Sequence, residues 1–375
     1  MRKRKVIAKG RFPDFLFLAS TIGATIIGLV MVYNASLAHA QAEFGDPYHF
    51  LTKQVSWAIV GIFFLLLASY IPYPFWRKIS VPIFVCALFL LLLVFIPGIG
   101  TKVKGAYRWI DLGVITVQPS DFVKFGMILY LSSFLSKRKQ GSSFLPFLGI
   151  VGFVSLLVLL EPDFGTTIVI IMIALSMYFI SGAPVSQFLL LAPGVVLFGI
   201  FFIFSSSYRL ARLKTYVSTL LDPNRATDPL GASYHIRQVL IALGSGGLMG
   251  VGLGRSRQKY EYIPEVTTDS IFAIIGEEIG FIGAMLLIML FLFIILRALH
   301  IAQNAPDDFS KLCAYGITFW IASQILLNLA AMVALVPLTG VTLPFISYGG
   351  SSLISILTGC GILLQISRYQ KRERS

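Results

Sequence analysis

The chain has 375 residues, of which 57% are hydrophobic and 13% charged, with a formal net charge of +13. A mean hydropathy of +0.84 excludes an ordinary soluble domain, and apolar runs of about eighteen or more residues recur along the whole length, as in a polytopic helical membrane protein. The positive charge lies mostly in short loops and tails between the apolar runs, which argues against nucleic acid as a partner.

Taken in order, a basic tail, MRKRKVIAKGR, leads into a first span near 15–33, read as a span rather than a cleaved leader because many others follow it. Further spans are expected near 55–71, 79–95, 122–135, 144–160, 166–180, 188–204, 269–299, 312–335 and 352–366, about ten in all, ending in the basic SRYQKRERS. The fold class is therefore an all-α polytopic membrane protein, a single domain over 1–375, whose one large polar insertion is 205–268. The eighth span is long enough to tilt or protrude. Cys86, Cys313 and Cys360 fall in apolar spans and read as small buried hydrophobes without disulfide or metal spacing. No HExxH, GxxxxGK[ST] or GxSxG motif is present.

Lys and Arg placement orients the chain. Both tails and the loops after spans two, four and eight share one side, and most are basic, so that side is cytoplasmic, with N and C termini inside. The loops 98–118, 205–268 and 336–351 then face outside. Two of them are basic against the rule: Lys102, Lys104 and Arg108 in the first, and eight Lys or Arg in the large loop, including Arg209, Arg212, Arg237 and Lys259. An anionic ligand at the outer face accounts for this, and anionic membrane lipids account for it equally well.

Lys259–Gly280 holds Glu261, Glu265, Asp269, Glu277 and Glu278 where a polar loop runs into an apolar helix, in a chain with 17 acidic residues. Carboxylates at the mouth of a membrane helix point to function. A helix start, with Thr268 as N-cap and Asp269 in the first turn, accounts for one of them. It does not account for Glu277 and Glu278, two turns further in.

Four more polar clusters share that face. In RWIDLGVITVQPSDFVK, Pro119 suits a first helical turn, and Asp121 and Lys124 sit i,i+3, where they can pair. In EPDFGT, Pro162 and Gly165 break the chain between two spans, and Asp163 can cap the second. YHIRQVLIALGSGGLMGVGLG carries an apolar part too short to cross, expected to lie in or re-enter the interface. VPLTGVTLPFISYGGSS, with Ser347, is irregular backbone that must be buried in protein or line a wet cavity.

With MVYNAS at the end of span one, YR–R near Arg209 and Arg212, and YIPEVTTDSIFAIIGEE, these clusters resemble, in order and spacing over nearly the full length, the SEDS proteins (shape, elongation, division and sporulation), typified by the division protein FtsW and the rod-shape protein RodA. LEPDFGT and TLPFISYGGSS look closer to the division branch; the short tails and YHI look like the rod branch. Two positions depart from the pattern: Asp121 stands where the family usually has Glu, and Thr267 and Ser270 flank Asp269 in place of a histidine and an aromatic residue.

The resemblance implies a peptidoglycan polymerase acting on lipid II, with Asp269 as catalytic base and Arg209, Arg212, Arg237, Lys259, Glu265 and Thr268 at the substrate. Asp121, Lys124, Asp163, Arg108 and Ser347 would support them. It also implies a class B penicillin-binding protein, a single-span transpeptidase, as partner. No cofactor is assigned, and a divalent cation is left open. The chemistry agrees, because glycosyl transfer from a diphosphate donor needs a carboxylate base and cations for the leaving group. A lipid II flippase and a passive scaffold for a transpeptidase are the competing readings.

Overall fold

The computed structural model describes residues 7–9, 12–103, 106–111, 113, 116–137, 144–204, 207–221, 232–259, 263 and 266–371. Among the described residues, ten helices overlap the ten segments expected as spans: α1 (Phe15–Phe44), α2 (His49–Tyr70), α3 (Tyr73–Leu93), α4 (Pro119–Leu135), α5 (Phe144–Leu160), α6 (Phe164–Ile180), α7 (Val185–Phe204), α10 (Ile271–Gln303), α11 (Asp308–Met332) and α12 (Gly350–Ser367). Six of them, α1, α2, α3, α10, α11 and α12, are long and apolar enough to cross a membrane by length and composition. Two more helices, α8 (Ser207–Leu221) and α9 (Ala232–Ser245), lie in the large insertion.

The bundle is arranged inside out relative to a soluble protein. Of these six, the most apolar, α10, has little of its surface buried, whereas the less apolar α11 and α12 are mostly buried. Lipid is the solvent, so apolar side chains face outward and polar ones collect where helices meet. In the middle, α4 packs on α3, α11 and α12, α11 on α6 and α10, and α12 on α2. Buried Ser132, Thr318, Gln324, Asn328, Ser355 and Gln365 all lie on these central helices.

Helix starts follow their caps. Asp14 accepts from the Phe17 amide at 2.9 Å to open α1 and also pairs with Arg297 of α10. Asp307 and Ser310 form a reciprocal capping box at α11. Three strands depart from an all-helical reading: β2 (Gly100–Val103), β3 (Ala106–Asp111) and β4 (Thr116–Val117) form a small antiparallel sheet just before α4. At the other end, β1 (Ile7–Lys9) pairs antiparallel with β5 (Tyr369–Lys371), so both chain ends meet at one end of the bundle.

Two boundaries differ from the sequence reading. Helix α1 runs on to Phe44, where Gly45 ends it in a left-handed conformation (φ 68°). Helix α10 is not continuous: Gly280 adopts φ 73° and ψ −173° and breaks it. A Cβ at Gly280 would lie 2.2 Å from the backbone nitrogen of Gly250, so only glycine fits. Cys86 is exposed on α3, a correction to its expected burial; Cys313 and Cys360 are buried.

Candidate functional site

At the end opposite the termini, the glycine-rich segment after α9 threads into the break in α10. The Val251 and Gly252 amides donate to the carbonyls of Glu277 and Glu278 at 3.0 Å each, and the Phe281 and Ile282 amides donate back to Gly247 and Leu248 at 2.9 and 3.1 Å. A broken helix frees backbone groups that must find partners at membrane depth, and this ladder supplies them.

The two glutamates complete the joint. Glu277 accepts from the Ser256 hydroxyl and from the Arg257 amide at 3.1 Å. Glu278 accepts from the Ser256 amide at 3.2 Å, from Lys259 Nζ at 3.1 Å and from the Asn34 amide. Lys259 Nζ also donates to Asn34 Oδ1 at 2.9 Å, and the Lys259–Glu278 pair is almost wholly buried. Glu277 and Glu278 fasten the loop to the helix, and Lys259, a candidate substrate contact by sequence, lies in a buried pair with Glu278. Asn34, from MVYNAS, is the third member, which sequence reasoning left unexplained.

Asp269 lies eight residues before Glu277 in a different setting. The cap of α10 is Ser270, whose hydroxyl meets His235 Nε2 of α9 at 2.7 Å; Ser270 makes no side-chain cap bond to the helix. The reading of Thr268 as N-cap and Asp269 as a first-turn residue is thus corrected: residues 266–269 form a turn ahead of the helix.

That turn is held through its backbone. Tyr348 N donates to the Thr267 carbonyl at 2.8 Å, the Ser347 hydroxyl donates to the Thr268 carbonyl, and Asn328 Nδ2 donates to the Asp269 carbonyl at 2.8 Å. Ser347 is set in turn: its hydroxyl accepts from the Leu343 amide at 2.8 Å, and its carbonyl accepts from Gln54 Nε2 at 3.2 Å. Thr268 Oγ1 reaches Asp269 Oδ1 at 3.4 Å, and the Asp269 side chain is buried, as is all of Ser270.

A second polar group sits beside it. Asp121 and Lys124 pair at 2.8 Å, both buried, as the i,i+3 spacing predicts. Ser351 of α12 donates to Asp121 at 2.8 Å, and Lys124 Nζ lies 5.6 Å from the centroid of the Trp320 ring. Asp163 caps α6, accepting from the Thr166 amide at 3.0 Å and hydroxyl at 2.8 Å, and also takes Gln118 Nε2 at 3.2 Å. Arg108 of β3 donates to the carbonyls of Glu161 (3.0 Å) and Pro162, fixing the turn from outside. The Glu161 carboxyl is buried, with neither oxygen hydrogen-bonded among the described residues. Burial, reinforced by the negative charge of Asp163 and opposed by Arg108, pushes it up to about 9.

The structure therefore brings Asp269, Thr268 and Ser347 into one group, and Asp121, Lys124, Asp163 and Arg108 into a neighbouring one joined through Gln118 and Ser351. Arg237 is exposed on α9, the helix that also carries His235. Arg209 and Arg212 lie on α8, their side chains outside the described residues, as is Glu265 altogether. Sequence reasoning gave no role to Asn34, His235 and Ser351, though they lie in the quoted MVYNAS, YHI and SYGGSS motifs, and it passed over Gln54 and Asn328, whose only signal was polarity inside an apolar run.

Residues 14–372 match the cell cycle protein family of FtsW, RodA and SpoVE. The chain belongs to that family. Stage V sporulation protein E of Bacillus subtilis is 40% identical over 364 residues, covering 96% of this chain and 98% of that protein. A probable peptidoglycan glycosyltransferase FtsW of Coxiella burnetii is 39% identical over 366 residues, covering 94% and 96%. Identity thus does not separate the sporulation and division branches. Among solved structures, a chain of a peptidoglycan synthase complex that coordinates polymerization and crosslinking superposes with a TM-score of 0.75 at 27% identity, over 95% of this chain and 98% of that one. The rod shape determining protein RodA of Thermus thermophilus superposes at 0.66 with 25% identity, over 95% and 97%. With its apolar helices and this family, the chain is a multi-pass protein of the bacterial cytoplasmic membrane.

Proposed function

We propose that this chain is a peptidoglycan glycosyltransferase that joins lipid II disaccharides through β-1,4 bonds at the outer face of the membrane. The observation that supports it best is the setting of Asp269: a carboxylate that does not cap the helix it precedes, on a turn whose backbone is held from α11 and the 336–349 segment. A helix cap needs none of that, whereas a general base must be held in place.

In this reading Asp269 takes the proton of the acceptor GlcNAc 4-hydroxyl. The oxygen attacks the anomeric carbon from the face opposite the leaving group, the new C–O bond forms, and the old bond breaks with its electron pair leaving on the polyprenyl diphosphate. Arg209, Arg212 and Arg237 balance the diphosphate charge, with Thr268 and Glu265 kept as substrate contacts. Lys259 drops out of this set because Glu278 and Asn34 hold it. Asp121, Lys124, Asp163, Arg108 and Ser347 hold the floor of the site.

Among the described residues no group of three or more His, Cys, Asp or Glu is placed to hold a metal, so no step is routed through one. A divalent cation carried on the diphosphate stays within the proposal, and chelator titration of polymerisation tests it. The proposal also places both termini in the cytoplasm, for which the pairing of β1 with β5 gives the shared side and the basic tails give the sign. A class B penicillin-binding protein is the proposed partner, since polymerisation without cross-linking leaves the product unfinished.

The test is polymerisation of labelled lipid II by purified protein. The parent should make long glycan chains. Asp269→Asn should insert, fold and bind lipid II, yet polymerise about 10²–10⁴-fold more slowly, as expected for loss of a general base. Near-parental polymerisation by Asp269→Asn would overturn the assignment. A parent that moves lipid II across vesicles without making polymer would favour a flippase.

A further inference from the structure

We propose that Asn328 of α11 is a positioning residue for the reaction: its single amide group fixes the Asp269 peptide against the 336–349 segment. This deepens the reading of Asp269 as base and rests on it.

The side-chain nitrogen of Asn328 donates to two carbonyls at once, Asp269 O and Val341 O, at 2.8 Å each. Asn328 is buried, and so is Val341. The two partners are 72 residues apart in sequence (341 − 269) and share no helix. One planar NH₂ group thus bridges the turn that carries the candidate base and the irregular segment that carries Ser347.

The orientation of the amide is unambiguous. Both partners are acceptors, so the nitrogen must face them; the flipped amide would set its oxygen against two carbonyl oxygens. The cost of this choice is visible on the other side, where Asn328 Oδ1 is buried without a hydrogen-bond partner among the described residues. A group kept for packing alone would not sit polar and half-satisfied in an apolar helix, since each such atom is destabilising.

The remaining tethers of the turn reach Thr267 and Thr268 through Tyr348 and Ser347. Asn328 is the side chain that holds the carbonyl of Asp269 itself. Rotation of that peptide swings the carboxylate with it, and a displacement of about 1 Å of a catalytic group costs about 10²-fold in rate.

The experiment uses full-length protein with lipid II and measures kcat, KM and melting temperature for three variants. Asn328→Asp keeps the shape but presents oxygen to the two carbonyls. Asn328→Leu keeps the approximate volume and removes the donors. Asn328→Gln keeps the amide on a longer stem. We expect kcat to fall about 10–100-fold in Asn328→Asp and Asn328→Leu with KM within about twofold of the parent, and partial recovery of kcat in Asn328→Gln. Parental kcat in Asn328→Leu overturns the proposal. So does equal loss in Asn328→Gln and Asn328→Leu, or a fall in kcat that tracks melting temperature across all three, because packing alone gives those patterns. If Asp269→Asn proves active, the base assignment fails first; if Asp269→Asn is dead and Asn328→Leu is not, only the positioning role fails.

Discussion

Asp269 and the Glu277–Glu278 pair stand eight residues apart on one segment, and by composition they look alike: carboxylates at the mouth of an apolar helix. Their surroundings differ. The glutamates receive backbone amides of the glycine-rich loop, a serine, an asparagine and a buried lysine. Asp269 is held by its peptide carbonyl, from Asn328. The glutamate side chains fasten one segment to another, whereas the Asp269 backbone is itself fastened, which sets where its side chain stands.

The sharpest way to break that contrast is to remove one member of the joint. Glu278→Ala leaves Lys259 buried without its counter-charge and should cost about 3–5 kcal/mol of stability, seen as a large drop in melting temperature in detergent, with activity lost only in proportion to folded protein. The double change Lys259→Met with Glu278→Leu should be milder than the single one, because no uncompensated charge remains. A stable, well-folded but inactive Glu278→Ala protein would move Glu278 into the chemistry and erase the distinction.

The Asp121–Lys124 pair gives a smaller version of the same test. Lys124→Ala should destabilise toward the lower end of about 3–5 kcal/mol, since Ser351 still donates to Asp121, and Asp121→Glu should be tolerated. Unchanged melting in Lys124→Ala would show that the pair carries little of the fold. Next in size, Gly280→Ala forces a side chain into the left-handed region against the Gly250 backbone and should cost about 1–3 kcal/mol, with the loop joint loosened, as read by faster proteolysis at 246–259.

A further expected effect is a pH dependence. The folded value of Glu161, about 9, lies above the ordinary 4.5, so the folded chain holds a proton that the unfolded chain releases between those values. Its contribution is fully present below pH 4.5 and is lost as pH rises toward 9. Glu161→Gln keeps the neutral shape and should flatten the stability profile across that window. An unaltered profile would mean that the Glu161 carboxyl does not titrate there.

How much could be read from sequence depended on distance along the chain. The Asp121–Lys124 pair was legible because both groups lie one turn apart on one helix, where spacing alone fixes their approach. The capping role of Asp163 was legible for the same reason. The Lys259–Glu278–Asn34 triad was not: Asn34 lies 225 residues before Lys259, and no local rule relates them. The break at Gly280 was hidden because a glycine within an apolar run is compatible with a straight helix. What forces the break is the Gly250 backbone, which arrives from another segment. Asn328, too, reads in sequence only as a polar residue in a span, since its partners are two distant carbonyls.

The break in α10 also changes what bilayer thickness can do to this protein. A straight helix of 33 residues would be about 50 Å long, well beyond a hydrocarbon core of about 30 Å. Divided at Gly280, the element leaves residues 281–303 to cross, about 34 Å at 1.5 Å per residue, while 271–279 stay bound to α9 and the loop. Thinner or thicker membranes therefore act on the tilt of the crossing part alone. The short piece, with Asp269 in the turn just ahead of it, is tied instead to α9 and the loop, so the site is set by protein contacts rather than by the length of the crossing part.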